Sequence, residues 1–162
     1  MSNSHFRWRW GETNPVTADV ASETVIQIGD LLWLNTTTKK AEPAAASTFG
    51  ASLDAAQTTF APKFLGVAMQ ASPSGNVTPV RVATSGTFQF LKTGAGVTLG
   101  TILGVDKNPS SNVLENQTLT SVPTAARAIG RVSHIHNVES GTVFVAIHSS
   151  VMSGGVTGTV MT

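Results

Sequence analysis

Three of the four histidines are the residues best placed to do chemistry. His134 and His136 are separated by one residue, and His148 lies in the next apolar run of the chain. Alternate residues of a β-strand share a face, so two imidazoles at this spacing could bind one metal ion and a third could complete the set. The same pattern suits histidines on a solvent-facing or interfacial strand, because Val132 would share their face. We expect the second arrangement, and therefore no metal or other cofactor.

The sequence offers even less support for other kinds of catalytic site than for a metal site. Ser85-Gly86 is not framed by the GxSxG motif that exposes a nucleophile on a strand-to-helix turn. Gly94, Gly96 and Gly100 are spaced GxGxxxG, which is not the dinucleotide-binding fingerprint, and no Lys-Ser or Lys-Thr follows them. Acidic residues are scarce and separated by turns, which does not favour a pair of catalytic carboxylates. The sequence therefore predicts a protein that is not an enzyme.

The composition narrows the possible partners. Charged residues make up 12% of the chain, about half of the share that is typical of globular domains, so much of the surface must be neutral. A formal net charge of +1 argues against a nucleic-acid-binding protein that neutralises phosphates. There is no cysteine and no apolar run of about 20 residues, and residues 1–10 lack the apolar core of a signal peptide. We therefore expect synthesis in a reducing cytoplasm and no membrane partner.

Short apolar runs separated by turn residues recur along most of the chain. In residues 80–91, VRVATSGTFQFL, apolar and polar positions alternate on both sides of a break at Ser85-Gly86. Turn signals come roughly every ten residues, as in sandwiches and barrels. We therefore expect an all-β fold, a small β-barrel or β-sandwich of about eight to ten short strands. An extended N-terminal arm and one short helix in a long loop complete the expected architecture.

Individual strands follow from the same pattern. Residues 25–34, VIQIGDLLWL, predict a strand, a tight turn at Gly29-Asp30 and a second strand. Gly66 lies inside the apolar run of residues 64–70, where it indicates a bend or a close approach of another backbone. Residues 128–136 and 142–148 predict a β-hairpin.

Composition divides the chain into three segments. Residues 1–21 form the arm, residues 22–152 form the β-domain and residues 153–162 form a Gly-rich tail that we expect to be loose unless a neighbour orders it. Within the domain, residues 43–62 are an Ala-rich excursion that predicts one short helix around residues 52–58, with Asp54 near its positive end.

Aromatic and basic residues alternate in the arm. Phe6, Trp8 and Trp10 would lie on one face of an extended backbone, with Arg7 and Arg9 on the other. Aromatic residues and arginine are enriched at protein interfaces, so we expect these five residues to bind a partner. The alternative is a first strand that covers the domain's own core.

Five short motifs occur in a fixed order between residues 25 and 149. The motifs are Gly29-Asp30 ahead of an apolar strand, Gly66-Val67-Ala68, Val80-x-Val82 with Gly86, Gly130-x-Val132, and Val143-x-Val145. In this order they resemble the head-decoration (cement) proteins of tailed bacteriophages. The resemblance implies a β-rich domain that binds the outside of the mature capsid, commonly as a trimer, and strengthens it without catalysis.

The expected partners are therefore the major capsid protein and further copies of this chain in a homotrimer. The expected location is the outer surface of the virion, after synthesis in the host cytoplasm. An alternative function is a receptor- or glycan-binding β-module of a phage tail or adhesin, which would require an exposed aromatic platform.

Overall fold

The computed structural model describes residues 7–47, 52–94, 96–134 and 141–158. Two β-sheets form the framework of this part of the chain. The strands are β1 (Arg7–Trp10), β2 (Val16–Ala18), β3 (Leu31–Leu34), β4 (Ala41–Pro43), β5 (Phe64–Ala68), β6 (Val80–Ala83), β7 (Ser85–Lys92), β8 (Ile102–Lys107), β9 (Leu114–Ser121), β10 (Gly130–His134) and β11 (Thr142–His148), and the α-helices are α1 (Leu53–Phe60) and α2 (Ser150–Ser153).

The first sheet closes into a five-stranded barrel in the order β7-β11-β10-β8-β9. Its neighbouring strands are antiparallel except at the closure, where β9 pairs in parallel with the end of β7 at Leu91 and Lys92. The other half of the same β7 edge pairs with β1. The expectation of a small all-β barrel is therefore confirmed.

The second sheet has the order β2-β6-β5-β3-β4, and a single residue joins its strand β6 to β7 of the barrel. β6 ends at Ala83 and β7 begins at Ser85, so Thr84 marks the point where the chain passes from one sheet to the other. The Thr84 backbone N–H donates to Thr13 O (2.9 Å), and its hydroxyl donates to Asn14 O (2.7 Å). The predicted break is thus present, one residue before Ser85-Gly86.

The main hydrophobic core lies inside the barrel and extends to the second sheet and α1. Phe88 and Phe90, which alternate on β7, are buried in the same cluster as Phe60 of α1 and Phe64 of β5. Complete burial of a side chain of this size contributes about 1.5–3 kcal/mol to stability. These aromatics therefore bind barrel, sheet and helix into one unit.

Three local predictions are confirmed. α1 begins after Ser52, whose Oγ accepts a hydrogen bond from Ala55 N (3.2 Å), and it covers the predicted helix. β10 and β11 pair as an antiparallel hairpin, although residues 135–140 lie outside the described part. A Cβ atom added at Gly66 would lie 2.0 Å from Ala83 O, which is the close backbone approach that its position in a strand indicated.

One strand prediction is wrong, and the long strand β9 was missed. Residues 25–28 form no strand; only Ile26 pairs, in an isolated bridge with Ser72. β9 was not predicted, because its sequence LENQTLTS carries polar residues at most positions. Its buried side chains are Leu114, Thr118 and Leu119.

The two chain ends are held to the domain as far as they are described. β1 pairs with β7 and β2 pairs with β6, so the described part of the arm belongs to both sheets rather than projecting from them. At the other end, Arg131 donates from Nη2 to Thr157 O (2.7 Å), and Val156 packs against Ile102. The tail is thus fixed up to this point by contacts within the chain.

Candidate interaction surface

The register of β1 shifts between Trp8 and Trp10, and this shift decides which way the two indoles face. Trp8 lies opposite Phe88, while Trp10 lies opposite Thr87, so one residue of β1 is additional. A one-residue shift sends the following side chains to the other face of a sheet. The prediction that Trp8 and Trp10 share a face is therefore wrong.

Trp10 and Arg9 lie together on the outer surface of the barrel, over Phe144 of β11. The Trp10 ring centre is 5.8 Å from that of Phe144 and 6.1 Å from that of His134. The Arg9 guanidinium carbon is 5.3 Å from the Phe144 ring centre, and Arg9 Nη2 donates to Gln89 Oε1. We call these five residues the Trp10 patch.

The Trp10 patch combines a rigid base with an accessible rim. Phe144 is 8% exposed because Arg9, Trp10 and His134 cover it, whereas Trp10 itself is 46% exposed. An indole fixed by neighbouring rings loses little conformational entropy on binding a partner. The patch therefore has the form of a binding surface more than of a core contact.

Trp8 lies beside a separate surface pocket of about 610 Å³, next to the loop that joins β1 and β2. Its indole is 51% exposed, and Nε1 donates to Gly11 O (3.2 Å). Other residues of the lining include Glu12, Asn14 and Met69. We call this the Trp8 pocket.

The remaining arm residues are described only in part. Phe6 lies outside the described residues, and Arg7 pairs with Gln89 across the β1–β7 ladder. Of the five predicted binding residues, the structure therefore brings Arg9 and Trp10 into one patch and places Trp8 in another site. Their binding of a partner stays a prediction.

The two described histidines of the predicted set, His134 and His148, do not converge as a metal site would require. His134 lies opposite Phe144, whereas His148 lies opposite Ser85 and four residues farther along β11, about 13 Å at the usual strand rise. His136 is outside the described part of the chain. Among the described residues, no three His, Asp or Glu side chains are grouped closely enough to hold a metal ion.

No family model matches this chain, and no curated protein matches it significantly. In the described residues there is also no helix with the length and hydropathy of a membrane span. The family suggested by the sequence motifs therefore stays a prediction.

A cleft of about 690 Å³ lies beside β9, and no sequence motif predicted it. Asp30 is buried there, accepting from Gln27 N (2.8 Å) and from Gln117 Nε2 (3.0 Å). Burial raises the pKa of the Asp30 carboxyl, and the two hydrogen bonds oppose that rise only in part. The Gln117 Oε1 atom is buried with no hydrogen-bond partner.

Phe144 is the residue of the Trp10 patch that sequence reasoning missed. Val143, Phe144 and Val145 are consecutive apolar residues, and a strand that buries only one face would not need all three. The structure places Val143 and Val145 in the core and leaves Phe144 on the outside. The uninterrupted apolar run was thus a usable signal of a second, outward-facing apolar contact.

Proposed function

We propose that this protein is a non-catalytic decoration (cement) protein, which binds the major capsid protein on the outer surface of a phage head and stabilises the shell. The observation that carries the proposal is the Trp10 patch, a half-exposed indole and a guanidinium fixed over Phe144 on a closed barrel. The order of the five sequence motifs supports the same function.

The physical properties of the chain suit a repeated, low-charge lattice. A surface with few charges pays little desolvation cost when it lies against a neutral shell. A homotrimer would present three Trp10 patches at once, so modest single contacts would be multiplied by the effective concentration of the linked sites. The protein would be made in the host cytoplasm and would end on the virion surface.

Capsid binding tests the proposal, and point substitutions are better suited to it than deletion of the arm. Deleting β1 would expose the β7 edge and damage the barrel, whereas Trp10→Ala leaves the ladder in place. Leu99→Ala is the matched control, because Leu99 is an exposed apolar residue outside the patch. The two variants and the unchanged protein are sedimented with purified expanded capsids.

We expect Trp10→Ala to weaken capsid binding about tenfold or more, as truncation of a central interface aromatic commonly costs over 1–2 kcal/mol. Leu99→Ala should bind normally. Undiminished capsid occupancy by Trp10→Ala would show that the patch is not part of the interface. If the unchanged protein does not bind capsids, the proposed function is wrong.

Trimer formation is tested separately by light scattering. The expected mass is three times that of one chain of 16.8 kDa. A monomer at every accessible concentration would contradict the trimer without bearing on capsid binding.

A receptor- or glycan-binding module is the second candidate, favoured by two indoles that are each about half exposed. Aromatic faces of this kind bind the apolar faces of sugar rings. A glycan array probed with the full chain tests this function. Saturable binding that Trp10→Ala or Trp8→Leu removes would favour it over the shell.

A further inference from the structure

The Trp8 pocket is rigid, and most of its rigidity comes from the strand junction beneath it. Thr84 holds Thr13 and Asn14 through backbone and hydroxyl hydrogen bonds of 2.9 and 2.7 Å. Ser85 Oγ donates to Glu12 O (2.7 Å) and accepts from Asn14 Nδ2 (2.9 Å). The loop therefore keeps its shape without a ligand, and a bound group would not have to order it.

The lining of the pocket offers a negative charge and an aromatic face. Glu12 supplies an exposed carboxylate, and Trp8 supplies half of its indole surface. No lysine or arginine occurs among the described lining residues. The negatively charged face of an aromatic ring attracts cations, most strongly for tryptophan.

Two side-chain hydrogen-bond donors of the pocket are already engaged within the chain. The Trp8 indole N–H donates to Gly11 O, and the Asn14 amide donates to Ser85 Oγ. A sugar needs donors as well as acceptors for its hydroxyl groups, whereas an ammonium or guanidinium group only donates. The pocket therefore fits a cation better than it fits a carbohydrate.

We infer that the Trp8 pocket binds a basic side chain, the guanidinium of an arginine or the ammonium of a lysine, supplied by a partner protein. The cation lies over the Trp8 ring and pairs with Glu12, while Met69 contacts the aliphatic stem. This inference does not depend on the proposed capsid function, because the Trp8 pocket and the Trp10 patch are formed by different sides of β1.

Nuclear magnetic resonance of the ¹⁵N-labelled full chain gives a direct test, because each of the three tryptophans supplies its own indole N–H signal. The probes are N-acetyl-arginine amide and N-acetyl-lysine amide, with neutral N-acetyl-glutamine amide as control. We expect saturable shifts of the Trp8 indole and the Gly11 amide, with the buried Trp33 indole unmoved.

Charge removal provides the matched comparison. Glu12→Gln should weaken the binding of the arginine probe about threefold, the range expected for an exposed ion pair. Glu23→Gln removes another exposed carboxylate outside the pocket and should leave the affinity unchanged. Trp8→Leu should abolish the shift of the Gly11 amide. Both pocket substitutions fall on exposed side chains, so the fold should survive them.

Dilution of the ¹⁵N-labelled protein without any probe identifies the source of the cation. A Trp8 shift that grows with protein concentration and disappears in Glu12→Gln supports the inference with a second copy as partner. Equal responses to the arginine and glutamine probes would overturn it. So would a Trp8 response to glucose or N-acetylglucosamine with none to arginine, since that result would identify a sugar site.

Discussion

Arg9 contacts two neighbouring strands at once. Its guanidinium carbon lies 5.3 Å from the ring centre of Phe144, and its Nη2 donates a hydrogen bond to Gln89 Oε1. Gln89 and Phe144 are direct cross-strand partners on β7 and β11. One guanidinium from β1 therefore spans both strands on the outer surface of the barrel. Because β1 pairs with only part of β7, these side-chain contacts supplement a short backbone ladder.

Arg9→Ala should destabilise the protein by about 1 kcal/mol, through the lost cation–π contact and the lost hydrogen bond. Arg9→Lys should recover only part of the lost stability, because an ammonium group cannot lie flat on the Phe144 ring while it also reaches Gln89. Urea unfolding of the full chain measures both changes. Arg81→Ala, on an exposed position of β6, is the control, and an equal loss in that variant would contradict the role of Arg9.

Gly66→Ala should destabilise the protein by about 3 kcal/mol or more, since the new methyl group would meet backbone atoms that cannot rotate away. Its Cβ would lie 2.0 Å from Ala83 O and 2.9 Å from Val82 Cγ1. Gly75→Ala is the comparison, because open space surrounds that position. Only its positive φ of 90° is unfavourable for alanine, so this substitution should destabilise the protein by about 1–2 kcal/mol. Similar unfolding midpoints for the two variants would show that β5 and β6 can separate at little cost.

Alternation of apolar and polar residues predicted strands in both sheets, β6 and β7. Val80, Val82, Phe88 and Phe90 all lie in buried positions, as the period of two required. The same pattern did not predict β9, because polar side chains occupy most of its positions. Its parallel pairing with β7 joins residues far apart in sequence, and no local pattern encodes such a pairing.

The residue types of the candidate interaction surface could be predicted, but its geometry could not. The arm sequence predicts Arg9 and Trp10 as binding residues from their types alone, and the structure brings them together. The register shift in β1 depends on how the strand fits the β7 edge, and alternation assumes a regular strand. The assignment of Trp8 and Trp10 to different sites therefore required the paired structure.

Gln57→Ala should destabilise the protein by about 2–3 kcal/mol, because it breaks a buried link between α1 and the barrel. Gln57 Nε2 donates to Val105 O (2.8 Å), and Oε1 accepts from Arg127 Nε (3.0 Å) and Nη2 (2.7 Å). Asp54→Asn breaks the ion pair of the same Arg127, but Asp54 is 75% exposed, so the loss should stay below about 1 kcal/mol. Thermal unfolding compares the two variants, and a larger effect of Asp54→Asn would reverse this ranking.

Asp30 should make the wild-type protein less stable, relative to Asp30→Asn, as the pH rises above the ordinary carboxyl pKa of 3.8. Burial raises the pKa of its carboxyl above the ordinary value of 3.8 in the folded state. Between the two pKa values the folded chain holds a proton that the unfolded chain has released, so the free energy of unfolding falls through that window and levels off above the folded pKa. Below the ordinary value both states are protonated, and the carboxyl contributes no pH dependence.

The amide substitution also suits the hydrogen bonds around Asp30. An amide oxygen can still accept from Gln27 N, and the new amide nitrogen can donate to Gln117 Oε1 once the Gln117 side chain turns over. Asp30→Ala offers neither group and should be about 2 kcal/mol less stable than Asp30→Asn at every pH. Urea unfolding of the three proteins from pH 3.5 to 7 measures these differences. Parallel pH profiles for the wild type and Asp30→Asn would show that burial does not raise the Asp30 pKa, because a neutral amide has no proton to lose in this range.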